Sequence, residues 1–246
     1  MTNWQLAAWA LCGVLWLGFA EAQGADKPRH GFLERTHKDP DGKEAGYVLF
    51  VPHDYQPDKP YPLILFLHGV GESGTDGRRQ AALGLGPAIK KQEKTFPALV
   101  IFPQSQKRSW SAKSEDGRRA MAILAEVQKA YKIDPKRIYL TGLSMGGSGT
   151  WSLALQYPHQ WAAIVPICGR SDPSRAAIIK DIPCWCFHGA DDPVVPVEQS
   201  RRMIEALKKA GGHPRYTEYP GVGHASWERA YATPELYEWL FAQHLP

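Results

Sequence analysis

Residues 23–246 are predicted to fold as a single α/β domain: a mostly parallel central sheet with helices on both faces, preceded by an antiparallel hairpin. Three observations carry that expectation. Apolar runs of strand length alternate with helical stretches through most of the chain, the pattern of strands covered on both sides. Near the start, two β-like runs flank a turn rich in Asp, Pro and Gly. The 246 residues, 43% of them hydrophobic, suffice for one sizeable core.

The elements follow in order. FLERTH and AGYVLFVP, on either side of DPDGKE, form the hairpin between Gly31 and Pro52. YPLILFLHG (61–69) and PALVIFPQ (97–104) are strands, and GRRAMAILAEVQKAY (117–131) spaces its apolar residues along one helix face. RIYLTG (137–142) is a strand, SMGGSGTWSLALQY (144–157) a helix and WAAIVPICG (161–169) a strand. IPCWCFHG (182–189) is a strand, VEQSRRMIEALKKAGG (197–212) a helix and RYTEYPG (215–221) a strand. The last helix, ATPELYEWLFAQHL (232–245), has Thr233 as its N-cap and Pro234 at its first position.

Ahead of this domain, Leu6 to Ala20 is apolar and Ala20-Glu21-Ala22 is a small-x-small pattern. Residues 1–22 therefore read as a signal peptide, although MTNWQ supplies no Lys or Arg, and the protein is expected to be secreted or periplasmic. The apolar run falls short of the ~20 residues of a spanning helix. Removing the leader takes Cys12 and leaves Cys168, Cys184 and Cys186, which read as buried thiols. No Cys/His spacing matches a metal site.

The net charge of +4 comes with scattered basic pairs: Arg78-Arg79, Lys90-Lys91, Arg118-Arg119, Arg201-Arg202 and Lys208-Lys209. Each stands among apolar or acidic neighbours, as on a solvated helix face, so neither a nucleic-acid track nor a stable membrane partner is expected.

The chemistry centres on TGLSMGGSGTW (141–151), which holds four glycines in the eight residues 142–149. Gly142-Leu143-Ser144-Met145-Gly146 has the form G-x-S-x-G where a strand gives way to a helix. At such an elbow the serine takes a strained conformation that lifts Oγ above the sheet, and the flanking glycines approach too closely for side chains. The helix N-terminus also aims backbone N–H groups at a developing oxyanion. The plain alternative is a glycine-rich connection with an incidental serine.

A serine needs a base, and the base an orienting carboxylate. Along the chain at such an elbow the order is serine, acid, histidine. His159 and His213 belong at the N-terminal edge of the sheet, His244 ends the last helix, and His188 would precede its own acid. His224, in PGVGHASW, follows the last strand at its carboxyl end, where sites in open sheets lie. The acid should come from FHGADDPVVPV, and position leaves Asp191 and Asp192 both open. The oxyanion donors are expected to be the N–H of Met145 and, from LHGVGESG, the N–H of Val70. Trp110 and Trp227 fall on loops at the same end and are candidates for a substrate platform.

These residues resemble the α/β-hydrolase superfamily, and within it compact secreted serine esterases such as feruloyl and acetylxylan esterases, polyhydroxyalkanoate depolymerases and dienelactone hydrolases. LFLHGVGESG, TGLSMGGSGTW, AIVPICG, FHGADDPVVPV and YPGVGHASW carry the resemblance. It implies the α/β-hydrolase fold, no cofactor or metal, and Asp192 as the acid, since the family pattern H-G-x-x-D-x-x-V-P falls on His188 through Pro196. The connection 170–181, where many lipases carry a lid, is short, so no large lid is expected. Nothing here could build the propeller of prolyl oligopeptidases, which the catalytic residues also resemble.

The implied activity is hydrolysis of carboxylic esters of plant polysaccharide, phenolic or short-chain acids, with loss of activity as an ordinary imidazole protonates near pH ~6.5. A peptidase or amidase, or a non-catalytic carbohydrate-binding scaffold, would use the same fold.

Overall fold

Strands β1 (Gly31–Lys38) and β2 (Glu44–Val51) pair antiparallel across the turn Asp39–Gly42, where Gly42 takes φ +84° and its N–H donates to Asp39 O at 2.8 Å. The computed structural model describes Met1 and residues 30–246. The expected leader and Cys12 lie outside the described residues. From there strands and helices alternate: β3 (Tyr61–Leu67), α1 (Leu85–Lys90), β4 (Leu99–Pro103), α2 (Glu115–Ala130), β5 (Ile133–Leu143) and α3 (Met145–Gln156). The second half runs β6 (Ala163–Ile167), β7 (Trp185–Gly189), α4 (Glu198–Lys209), β8 (Arg215–Tyr219), α5 (Trp227–Tyr231) and α6 (Pro234–Phe241).

The strands make one eight-stranded sheet in the order β1-β2-β4-β3-β5-β6-β7-β8. β2 meets β4 antiparallel, and every pairing from β4 to β8 is parallel. This is the α/β-hydrolase architecture.

The central strands show why a continuous apolar run was the right signal. Leu63, Leu65 and Leu67 of β3 face one core with α2, α3 and α4, while Ile64 and Phe66 face a second with α1, α5 and α6. Leu99 and Ile101 of β4 split from Val100 and Phe102 in the same way. Successive side chains leave a strand on opposite faces, so both phases must be apolar when helices cover both. Each such residue contributes about 1.5–3 kcal/mol on burial.

Several bounds differ from the sequence expectation. Helix α2 starts at Glu115, because the Ser114 hydroxyl caps it by accepting from Gly117 N–H at 3.0 Å. Helices α1 and α5 were not anticipated. They span six and five residues, too few for an apolar period to stand out. Between β6 and β7 the connection is a 3-10 turn, Pro173–Ile179.

One basic pair departs from the solvated-face reading. Arg119 is buried, its guanidinium donating to Asp39 at 2.7 Å, Glu115 at 2.7 Å and Asp116 at 3.2 Å. Arg119 therefore ties the hairpin turn to α2, an arrangement no local pattern announces.

Candidate active site

Ser144 sits between β5 and α3 with φ 55° and ψ −114°, a conformation that costs a non-glycine residue of order 1–3 kcal/mol. The packing around it holds it there. Its N–H donates to Ile167 O at 2.9 Å, and its carbonyl accepts from Ser148 N at 3.0 Å. A Cβ on Gly142 would lie 2.5 Å from Gly146 O, and one on Gly146 would lie 1.8 Å from Leu67 O. Only glycine lets β3, β5 and α3 close on one another at this bend. The Ser144 side chain is left half-buried at the carboxyl end of the parallel strands.

Eighty residues further on, the loop after β8 brings the ring of His224 to Ser144, with Nε2 2.8 Å from Oγ. Its Nδ1 is 2.7 Å from Asp192 Oδ2. A carboxylate only accepts, so the imidazole proton sits on Nδ1 and Nε2 is left with a lone pair facing the hydroxyl. The loop reaches inward because β7 ends on Gly189, where a Cβ would fall 2.2 Å from Gly223 O.

Asp192 is buried and held from four directions. Oδ1 accepts from Val194 N–H at 2.8 Å and Val195 N–H at 2.9 Å, while Oδ2 faces both His224 and, at 3.2 Å, His188 Nε2. Burial pushes its carboxyl up, but the bonds from His224, Val195 and Val194 outweigh it, and the net shift is below the ordinary aspartate value. Asp191 is exposed and contributes only its backbone N–H, to Val222 O at 3.0 Å.

His188, set aside in the sequence as preceding its acid, is completely buried beneath Asp192. Nε2 donates to Val195 O at 2.9 Å, so Nδ1 accepts from the Ser200 hydroxyl at 2.7 Å. Burial lowers its pKa, against the opposing pull of Val195 O and Asp192. The H-G of FHGADD was the available signal, but its meaning depends on Ser200, in the first turn of α4.

On the other side of Ser144 lies the loop after β3. A Cβ on Gly69 would stand 3.7 Å from Ser144 Cβ, which puts this loop against Ser144. Val70 follows and is 52% exposed. Among the described residues, neither the Val70 N–H nor the Met145 N–H donates to any protein group.

The two tryptophans part company. Trp110 is 2% exposed, packed on Gly149 of α3, with its Nε1 donating to His68 O at 2.9 Å. It has no face to offer a substrate, which corrects the expectation of a platform there. Its β-end position was read correctly, but burial under the loop depends on α3. Trp227 is half-buried and stands edge-on to the His224 ring, 5.4 Å between centroids.

Cys168, Cys184 and Cys186 are buried free thiols. Cys168 lies behind the His224–Asp192 pair, with ligand atoms of the three residues within 4.8 Å of one another. Burial pushes this thiol up to about 12, and both partners already hydrogen-bond to each other. The set suits a packed wall better than a metal, which needs a thiolate.

Comparison with known proteins identifies the family. The sequence pattern of the phospholipase/carboxylesterase family matches residues 96–233. Feruloyl esterase D of Neurospora crassa is 27% identical over 181 residues, covering 70% of this chain and 61% of that protein. Carboxylesterase SOBER1 of Arabidopsis thaliana is 26% identical over 190 residues, covering 66% of this chain and 82% of that protein. The crystal structure of a thermostable esterase superimposes with a TM-score of 0.78 at 42% identity, over 87% of this chain and 63% of that one. The chain thus spans less than two thirds of the Neurospora protein and of the thermostable esterase.

Proposed function

The chain belongs to the phospholipase/carboxylesterase family, and on that footing we propose that it is a serine carboxylic-ester hydrolase working through an acyl-enzyme. The observation that carries the reading is the unbroken series from Ser144 Oγ to His224 at 2.8 Å and on to Asp192 at 2.7 Å.

In the proposed reaction Ser144 attacks the ester carbonyl while its proton passes to Nε2 of His224. Asp192 holds the ring in the tautomer that can accept this proton and stabilises the imidazolium that results. The N–H groups of Met145 and Val70 bind the oxyanion, and as the C–O bond breaks His224 passes the Ser144 proton to the departing alkoxide, which leaves as the alcohol. Water, activated by the same imidazole, then releases the acid. Nothing in these steps calls for a cofactor or metal.

The substrate class we propose is esters of plant polysaccharide, phenolic or short-chain acids, in line with the feruloyl esterase resemblance. In this reading Trp227 touches the bound ester, a role supported by its partial exposure and its position beside His224. The apolar run 6–20 and Ala20-Glu21-Ala22 support export to the periplasm or medium. N-terminal sequencing of protein recovered from either compartment tests this; a retained Met1 would count against it.

The function is tested with p-nitrophenyl esters against p-nitroanilide amides, together with a fluorophosphonate probe. Ester turnover well above amide turnover, with labelling at Ser144, is the expected result. Equal rates on the two would sink the esterase reading, and absence of labelling would sink the catalytic one. Acetylated xylan, methyl ferulate and polyhydroxybutyrate then sort the substrate.

A further inference from the structure

The backbone just past β3 is gripped by side chains that the reaction itself does not use. The His68 ring is completely buried. Its Nε2 accepts from Ser105 N–H at 2.9 Å, which leaves the proton on Nδ1, and Nδ1 is 2.5 Å from Gly69 O. From above, the Trp110 indole donates to His68 O at 2.9 Å.

The loop carrying Ser105 and Trp110 is itself anchored by Asp116. This buried carboxylate accepts from Ser105 Oγ at 2.6 Å, Gln106 N at 3.1 Å, Lys107 N at 2.8 Å and Arg119 at 3.2 Å.

We propose that His68 is a positioning residue: by holding the Gly69 carbonyl, it turns the peptide plane so that the Val70 N–H faces the oxyanion. The inference rests on the acyl-transfer reading above. Gly69 O and the Val70 N–H belong to one peptide group, and no peptide among the described residues is cis. In a trans peptide the C=O and N–H point in opposite directions. A carbonyl pinned inward by Nδ1–H therefore sends the N–H the other way. The Gly69 backbone lies against Ser144, and the Val70 N–H has no acceptor in the described protein. Burial holds the ring neutral, with its pKa down at about 4, so Nε2 keeps the lone pair that sets the tautomer.

The test separates the two ring nitrogens. In His68→Asn the amide N replaces Nδ1 and can still donate to Gly69 O. In His68→Gln the amide reaches instead toward the Nε2 site and Ser105. Val70→Pro removes the N–H outright; Val70 opens a short 3-10 turn after extended Gly69 (φ −76°, ψ 177°), a place that admits proline.

Expected are a kcat within ~5-fold of wild type for His68→Asn, and losses of ~10²-fold in kcat for His68→Gln and Val70→Pro, the scale of one oxyanion donor. KM should stay within ~3-fold throughout. The double variant His68→Gln/Val70→Pro should lose no more than Val70→Pro alone, since both act through one N–H.

Equal kcat for the Asn and Gln variants, or losses that multiply in the double variant, would overturn the proposal. If a variant does not fold, ¹⁵N spectra of the wild-type protein decide through the His68 tautomer: a proton on Nε2 overturns it. The outcomes stay distinct from the parent reading. A wild-type protein that neither turns over esters nor labels at Ser144 refutes the acyl-transfer reading itself. An active, labelled enzyme with indifferent His68 variants refutes only the positioning role.

Discussion

His224 Nε2 stands 2.8 Å from Ser144 Oγ although 80 residues of chain separate them. Replacing Ser144 by Ala should lower kcat by ~10⁴-fold or more while leaving the melting temperature within a few degrees. Steady-state hydrolysis of a p-nitrophenyl ester and a thermal melt measure both. Retention of most activity would remove Ser144 from the mechanism.

The two neighbouring aspartates should behave differently. Asp192→Asn should cost ~10³–10⁴-fold in kcat, because the amide no longer favours the tautomer that leaves Nε2 free. Asp191→Asn, at an exposed carboxylate, should stay within ~3-fold. The reverse ranking in the same assay would exchange their roles.

His68 should make the fold acid-sensitive. Its pKa falls to about 4 in the folded protein against ~6.5 for an ordinary histidine. Between these values the unfolded chain binds the extra proton, so stability is complete above pH ~6.5 and declines as the pH drops toward 4, by about 3 kcal/mol. Urea midpoints across this range should slope less steeply for His68→Asn than for wild type. Parallel slopes would assign the acid sensitivity elsewhere.

Glycines at the elbow and in the neighbouring loop should separate by space. Gly146→Ala places a Cβ 1.8 Å from Leu67 O and should destabilise by about 3 kcal/mol or more, or prevent folding. Gly71 has nothing within 4 Å of an added Cβ, so Gly71→Ala should stay within about 0.5 kcal/mol. Thermal or chemical unfolding compares them, and similar losses would mean the elbow is looser than its contacts imply.

Much of this architecture was legible because burial on two faces writes itself locally. YPLILFL can only be a strand covered on both sides, and G-x-S-x-G at a strand-to-helix junction states its own backbone need. The order serine, acid, histidine then pointed to His224, the base of the proposed reaction. The reading of Trp110 failed because it needed more than the order of elements. A loop position at the catalytic end can be deduced from the order of elements, whereas burial beneath α3 depends on packing against Gly149.

Sequence alone thus determined the strand and helix alternation, the sharp turn at Ser144 and the carboxyl-end location of His224, since each follows from neighbours a few residues apart. Tertiary structure decided the rest: β4 lies beside β3, which brings Ser105 and Trp110 onto His68. It also put His188 under Asp192, and buried Arg119 among three carboxylates. Those contacts join residues remote in the chain, and their hydrogen bonds depend on distances and ring tautomers that exist only once the sheet order has closed.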